Sequence, residues 1–254
     1  MHKNFKNTAA PARLAIAVTL DASLLSSSGR SAELTLTPPI LSNDLPAGLT
    51  QLGSVAYPAT ARGAGDTVMT QDLLTAGLGR TGLGGTAPAY ANALAPTAIE
   101  LRRNAIFSNY RGLVDVTANG GYGTLYGPNV GNDGVATASE GLIPGREYIA
   151  SLDDGSGHKR VTIAVQVPDS FDTAAPCVVL GPSSGSRGVY GAVGAASEWG
   201  LKRGCAVALT DAGKGVGMHD LSDDTVNRID GTRATRAEAG TLNFFAANIT
   251  EDAP

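Results

Sequence analysis

The stretch CVVLGPSSGSRGVYGAVGAASEWGLKRGCAVALTD, residues 177–211, decides the fold. Apolar runs begin at Cys177 and at Cys205, and a segment of helix-like composition, VYGAVGAASEWGLKRG, lies between them. A strand, a crossover helix and a second strand form a βαβ unit, in which the two strands must be parallel. The stretch therefore predicts an α/β fold with a parallel pair of strands.

Upstream of this unit, the sequence predicts an antiparallel hairpin and a helix. Residues 147–152 and 161–167 alternate around the turn-forming letters DDGSG, which is typical of two half-buried strands. Thr97 and Glu100 have the spacing of a capping box, which predicts the start of a helix. Apolar residues at helical spacing predict the face that this helix lays on the core: Ile99, Ile106, Tyr110, Leu113 and Val114.

The amino-terminal region has a different character. Residues 1–32 place basic residues ahead of an apolar run, as a secretory signal does, although Asp21 interrupts that run. An unstructured leader is the alternative. Residues 33–71 mix short apolar pieces with prolines and predict an irregular lead-in. No apolar run reaches the ~18 residues that a membrane span needs, so we expect no membrane anchor.

Charge and glycine content exclude two further classes of partner. The net charge of -4 offers no basic face to a phosphate backbone, so nucleic acid is not an expected partner. Residues 77–82 form a G-x-G-x-x-G pattern, but the flanking residues are neither a strand nor a helix start. We therefore expect no nucleotide cofactor.

Cys177 and Cys205 open the two apolar runs of the βαβ unit. If the two strands are neighbours that begin at the same end of the sheet, the two sulfurs lie within disulfide range. An exported protein retains such a bond. Two buried free thiols are the equal alternative.

Residues 181–185, Gly-Pro-Ser-Ser-Gly, match the G-x-S-x-G pattern of a serine-hydrolase nucleophile turn. Two features oppose that interpretation: Pro182 fixes the backbone angle directly before Ser183, and the helix starts only several residues later. His219 is the only histidine after Ser183. A small self-sufficient esterase that uses Ser183 and His219 is therefore an alternative, not the main interpretation.

The order of predicted elements matches the start of an α/β-hydrolase sheet. Such a sheet begins with an antiparallel hairpin, continues with strands three and four, and carries its nucleophile after strand five. Strand three then begins at Cys177, strand four begins at Cys205, and strand five is expected beyond Pro254. We expect an incomplete α/β-hydrolase-like sheet with an irregular, partly helical N-terminal region, and we assign residues 72–254 to the N-terminal part of a hydrolase domain.

The loop after strand three is where this fold places an oxyanion-hole amide. The backbone amides of Ser184, Gly185 and Ser186 are candidate oxyanion or acyl-pocket donors, and Arg187 is a candidate partner for a product carboxylate. A tight loop with a solvated arginine is the structural alternative.

Asp211 and His219 follow the second parallel strand and are candidates for the wall of a substrate cleft at the carboxyl edge of the sheet. A third ligand at suitable spacing is absent, so we expect no metal site.

Several long motifs carry a resemblance to a known family. DLLTAGLGRTGLGG (72–85), APTAIELRRNAIFSNYRGLVDVTANGGYGTLYGPNV (95–130) and DTVNRIDGTR (224–233) resemble the N-terminal part of the D-(-)-3-hydroxybutyrate oligomer hydrolases. These are exported bacterial serine esterases that cut dimers and short oligomers of 3-hydroxybutyrate released from polyhydroxybutyrate. The resemblance runs from about Asp72 to about Ala247.

The resemblance implies a secreted bacterial protein that acts on a small-molecule ester. The family nucleophile resembles an S-N-G-G turn, which this sequence does not contain, so the resemblance implies a truncated copy that is inactive by itself. A non-catalytic or degenerate fragment that binds hydroxyalkanoates is the alternative.

Overall fold

The computed structural model describes residues 47–59, 71–154, 160–183, 187–213, 219–227 and 233–240. The predicted leader, residues 1–32, lies outside these residues, as do Ser184, Gly185 and Ser186. No helix of the described part is long and apolar enough to cross a membrane.

A five-stranded mixed sheet organises the fold. Its strands are β1 Leu49–Tyr57, β2 Gly145–Leu152, β3 Val161–Pro168, β4 Val178–Pro182 and β5 Ala206–Thr210. The order across the sheet is β1-β2-β3-β5-β4. Strands β2 and β3 pair antiparallel and β4 and β5 pair parallel, as the sequence predicts. Strand β3 pairs antiparallel with β5 and thereby joins the hairpin to the parallel pair.

Strand β1 lies inside the segment that we predicted to be irregular, residues 33–71. It pairs antiparallel with β2 at the edge of the sheet, and its register shifts between Gln51 and Gly53. Most of its side chains are exposed or half-buried, and only Tyr57 is buried. A strand with so little burial has no strict apolar alternation, which is the signal that predicts a strand from sequence.

Helix α1 spans Gly79–Gly84 and helix α2 spans Ala98–Arg111. The predicted capping box is confirmed: the Glu100 amide donates to Thr97 Oγ1 at 3.3 Å, and the Thr97 amide donates to Glu100 Oε2 at 2.8 Å. The predicted apolar face is only partly right. Ile106 and Tyr110 are buried, but Leu113 is 53% exposed.

The crossover between β4 and β5 is shorter than the predicted helix. It consists of a π-helical turn, Val193–Ser197, followed by the single-turn helix α3, Glu198–Leu201. Gly194 faces α2, where a Cβ atom would lie 3.5 Å from the Cα atom of Tyr110. The absence of a side chain at Gly194 therefore lets the crossover approach α2 closely. Such π-turns are rare and occur frequently at functional sites.

A second, three-stranded sheet follows the main one. It contains β6 His219–Asp220, β7 Thr225–Asn227 and β8 Arg233–Thr235, and helix α4, Arg236–Ala239, comes directly after it. Arg233 Nη1 donates to the Leu94 carbonyl oxygen at 2.6 Å and so ties this sheet to the loop before α2.

The hydrophobic core lies between the main sheet, helix α2 and the crossover. Its fully buried members include Leu73, Ile106, Tyr110, Val207 and Leu209. Burial of aliphatic and aromatic side chains of this size stabilises a fold by roughly 1.5–3 kcal/mol each. The core holds the carboxyl ends of β4 and β5 side by side, and this edge carries the candidate site.

Candidate functional site

Ser183 directly follows β4 at the carboxyl edge of the parallel pair. Its backbone amide donates to the Thr210 carbonyl oxygen at 2.8 Å, and the residue is only 7% exposed. Its Oγ is buried and has no hydrogen-bond partner among the described residues. A Cβ atom at Gly191 would overlap this Oγ, so the serine hydroxyl packs tightly against the following loop. A nucleophilic serine needs a base within hydrogen-bonding reach and access to substrate, and Ser183 has neither in the described structure.

His219 begins β6, where it pairs in register with Val226. Its side chain lies outside the described residues, so the predicted pairing of Ser183 with His219 stays a prediction.

Asp211 follows β5 at the predicted edge and is 2% exposed. Its Oδ1 accepts hydrogen bonds from the amides of Thr162, at 2.9 Å, and Gly213, at 2.8 Å. The carboxylate therefore binds the end of β5 to the start of β3. As a cleft wall Asp211 stays a prediction, while its described contacts are structural.

Arg187 follows the predicted oxyanion loop and is half-buried. Its carbonyl oxygen accepts from Asn109 Nδ2 at 3.1 Å, and its guanidinium lies against Gly112, where a Cβ atom would be 2.7 Å from Nη1. Gly112 caps the C-terminus of α2, and the carbonyl end of a helix attracts a cation. Arg187 therefore holds the loop to α2 through both its backbone and its side chain.

Cys177 and Cys205 form a disulfide, with their Cα atoms 4.8 Å apart. The two cysteines precede β4 and β5, and the Ala206 amide donates to the Cys177 carbonyl oxygen at 3.0 Å. The bond thus joins the amino ends of the parallel strands, opposite the edge that carries Ser183.

A buried ion pair lies at the centre of the molecule, and the sequence analysis missed it. Arg102 of α2 and Glu147 of β2 are 7% and 2% exposed. Arg102 donates from Nε to Glu147 Oε1 at 3.0 Å and from Nη2 to Oε2 at 3.1 Å. The ring of Tyr57 lies 4.1 Å from the guanidinium carbon, which adds a cation–π contact. Paired, bidentate geometry of this kind is what allows two charges to be buried.

Further polar side chains complete this network. Gln166 Nε2 donates to Glu147 Oε2 at 2.9 Å and to the Leu73 carbonyl oxygen at 2.8 Å, and Gln166 Oε1 accepts from Ser197 Oγ at 2.8 Å. The Tyr190 hydroxyl donates to Glu147 Oε1 at 2.7 Å. Because Tyr190 belongs to the loop after β4, the network reaches the candidate site.

Burial and charge set the protonation states of this network. Burial opposes the charge of Arg102, but the adjacent Glu147 carboxylate raises the pKa of its guanidinium. Burial also raises the pKa of Tyr57 to about 12 and raises the pKa of Tyr190 well above its ordinary value. Arg102 therefore stays charged, and both phenols stay protonated and able to donate, at neutral pH.

The side chain of Asp72 binds the first residue of the glycine-rich stretch of residues 77–82. The carboxylate of Asp72 accepts hydrogen bonds from the amides of Leu74, Thr75 and Gly77. Asp72 is fully buried, so its side chain fixes the turn that leads into this stretch. Among the described residues, no group of three or more His, Cys, Asp or Glu side chains is placed to hold a metal ion.

Comparison with known proteins identifies the family. A model of the 3HB-oligomer hydrolase family matches residues 25–253. The chain belongs to this family. It is 64% identical over 179 residues to a D-(-)-3-hydroxybutyrate oligomer hydrolase of Burkholderia ambifaria, covering 70% of this chain and 26% of the relative.

Two further relatives carry the same name. The protein of Albidiferax ferrireducens is 55% identical over 208 residues, covering 82% of this chain and 28% of the relative. The protein of Polaromonas naphthalenivorans is 59% identical over 199 residues, covering 78% and 27%. The chain thus spans about a quarter of the length of the curated relatives that it matches. No solved structure matches it.

Proposed function

We propose that this chain belongs to an exported bacterial serine esterase that hydrolyses 3-hydroxybutyrate dimers and oligomers to the monomer. In this proposal the loop after β4 faces the substrate. The observation that carries the proposal is the position of Ser183, directly after β4 at the carboxyl edge of the parallel pair, in a chain of the 3HB-oligomer hydrolase family. Open α/β sheets gather their ligands at this edge.

The proposal includes an α/β-hydrolase fold. Its support is the chain order of the elements: the hairpin β2–β3, then β4, the crossover and β5, with β4 and β5 parallel. In a hydrolase sheet these are the first four strands, and β1 is an additional strand at the edge. The loop after β4 then corresponds to the loop of a hydrolase whose backbone amide donates a hydrogen bond to the oxyanion.

The proposed chemistry is acyl transfer. A serine attacks the ester carbonyl, the tetrahedral oxyanion accepts hydrogen bonds from backbone amides, and the alcohol end of the oligomer leaves. Water then hydrolyses the acyl-enzyme and releases 3-hydroxybutyrate. The Ser183 amide is engaged with Thr210, so we assign the donor role to the amides of Ser184, Gly185 and Ser186.

We do not assign the nucleophile to Ser183, because its hydroxyl is buried and lacks a base among the described residues. We therefore expect no turnover from this chain alone. Export is a further part of the proposal, and the Cys177–Cys205 disulfide supports it because such bonds persist outside reducing compartments. Fusing residues 1–32 to a reporter that is active only after export tests this part.

The deciding experiment compares a donor deletion with its matched control. Gly185→Pro removes one backbone N–H, whereas Gly185→Ala keeps it. In the Burkholderia ambifaria relative, the equivalent proline substitution should lower kcat by roughly 10²–10³-fold, the usual cost of losing one oxyanion donor. The alanine substitution should cost far less. If the proline and alanine variants were equally active, the loop after β4 would not supply the oxyanion donor.

Two measurements on the chain itself separate the alternatives. Hydrolysis of the dimer and labelling by a fluorophosphonate should both be absent. Labelling that disappears in Ser183→Ala would instead establish the self-sufficient esterase. Binding of the dimer without hydrolysis, together with an unaffected kcat in the proline variant of the relative, would establish a binding fragment.

A further inference from the structure

A groove on the outer side of the crossover has no role in the proposed ester hydrolysis. It has a volume of about 340 Å³ and lies between α3 and the loop of residues 125–134. Arg203, on its rim, comes three residues before β5, which places this rim toward the amino end of the parallel strands. The groove is therefore separate from the carboxyl edge that carries Ser183.

Each wall of the groove carries one large, exposed apolar side chain. Leu125 is 78% exposed and Trp199 is 53% exposed, and they line the same cavity. Gly194 and Ala195 also line it, and their small size leaves room beside the π-turn. Exposed large apolar side chains that gather in one concavity mark a binding site more often than an accident of the surface.

The charges at the groove are not balanced. Lys202 Nζ binds Glu198 Oε1 at 2.7 Å, so these two charges neutralise each other. The guanidinium of Arg203 lies 4.3 Å from the centre of the Trp199 ring and donates from Nη1 to the Trp199 carbonyl oxygen at 3.0 Å. No carboxylate pairs with Arg203 among the described residues, so the lining presents one uncompensated positive charge.

The loop wall is held in place by polar contacts to α3. Asn132 Nδ2 donates to the Lys202 carbonyl oxygen at 2.7 Å, and Lys202 Nζ donates to the Gly127 carbonyl oxygen at 2.6 Å. Glu198 also accepts a hydrogen bond from the Tyr110 hydroxyl, which fixes its carboxylate from the core side. The groove is therefore preformed, and a ligand need not order its walls.

We propose that this groove binds a short aliphatic carboxylate, with the ionised head on Arg203 and the alkyl chain between Leu125 and Trp199. An anion is selected because the only unpaired charge of the described lining is positive. An alkyl chain is selected because the large apolar side chains of Leu125 and Trp199 line the same groove. A guanidinium already stacked on an aromatic ring is restrained, so it loses little freedom when it receives a carboxylate. The inference is independent of the proposed hydrolysis.

Trp199 is the only tryptophan of the chain, so fluorescence excited at wavelengths that tyrosine does not absorb reports on this groove alone. Titration with butyrate or 3-hydroxybutyrate should change the emission saturably and protect Trp199 from acrylamide quenching. Methyl butyrate, which has no charge, should bind roughly fivefold more weakly, because it lacks the exposed ion pair. Equal affinity for butyrate and its ester, or no saturable change, overturns the proposal.

Variants test whether Arg203 supplies the positive charge that binds the carboxylate. Arg203→Ala should weaken butyrate binding roughly fivefold, and Arg203→Lys should keep most of it because the charge is retained. Arg146→Ala is the matched control, since it removes an exposed arginine from β2 and leaves the groove intact. Because Arg203 contacts Trp199, ligand-observed NMR repeats the Arg203→Ala measurement without the fluorophore. Equal binding by Arg203→Ala and Arg146→Ala overturns the assignment to Arg203.

Discussion

Removing the disulfide should lower the stability of the chain by an amount that follows from the loop it closes. Cys177 and Cys205 are separated by 28 positions. In the chain-entropy description, cross-linking a loop of this length removes about 12 cal/mol/K of entropy from the unfolded chain, or about 3.6 kcal/mol at 25 °C. For a chain of this size the loss corresponds to a decrease in Tm of about 7–14 °C.

The assay is thermal and urea unfolding, followed by circular dichroism, on three samples. These are the oxidised protein, the protein reduced with dithiothreitol, and the double variant Cys177→Ala/Cys205→Ala. Oxidised and reduced protein differ only in the cross-link, whereas the double variant also loses a sulfur buried at Cys205, which is 4% exposed. We expect the reduced protein to unfold about 3.6 kcal/mol more easily, and the double variant to be at least as unstable.

Dithiothreitol should have no effect on the double variant, which controls for changes unrelated to the cross-link. The reasoning is refuted if the reductant leaves the stability of the wild-type protein unchanged. It is also refuted if alkylation under denaturing, non-reducing conditions modifies both cysteines, because the thiols would then be free.

Three further predictions concern the core and the loop after β4. Glu147→Ala leaves the Arg102 charge buried without its partner and should cost about 3–5 kcal/mol in urea unfolding, whereas Glu147→Leu with Arg102→Met should recover much of that loss. Gly191→Ala should cost about 1–3 kcal/mol because its Cβ has no room, but Gly53→Ala, where nothing lies within 4 Å, should be near neutral. Equal losses at the two glycines would contradict the packing. The free energy of unfolding should be insensitive to Tyr57 below pH 10.0 and fall as the pH rises toward about 12, since the folded state keeps the proton that the unfolded chain releases. Tyr57→Phe should make this decline less steep and leave the part that Tyr190 contributes.

Local signals in the sequence predicted the elements that depend on local chemistry. The Thr97 capping box uses groups three residues apart, and β3 alternates strictly between buried and half-buried residues, so both elements could be predicted without knowing the fold. The parallel pair was predictable because two short apolar runs flank a connection long enough for a crossover. These features placed Ser183 and Asp211 at the carboxyl ends of β4 and β5, where the structure has them.

The features that the sequence did not reveal depend on tertiary packing. Strand β1 is stabilised by its pairing with β2 and buries little of its own surface. The predicted apolar face of α2 was only partly right because the helix also turns Glu100, Arg102 and Asn109 inward, each to a specific acceptor or donor. Arg102 reaches a partner 45 positions away, and a lone arginine in a helix carries no sequence signal of that partner.

The buried network gives a physical reason why the loop after β4 suits a catalytic role. Backbone amides stabilise an oxyanion well only when they are held in place before the charge develops. Ser183 is fixed at the start of this loop by Thr210, and Tyr190 is fixed near its end by Glu147. Arg187 is held between them by Asn109. Because Glu147 is itself paired with the buried Arg102 guanidinium, the core positions Tyr190 on the described side of the loop. A substitution at Glu147 should therefore alter the site as well as the stability.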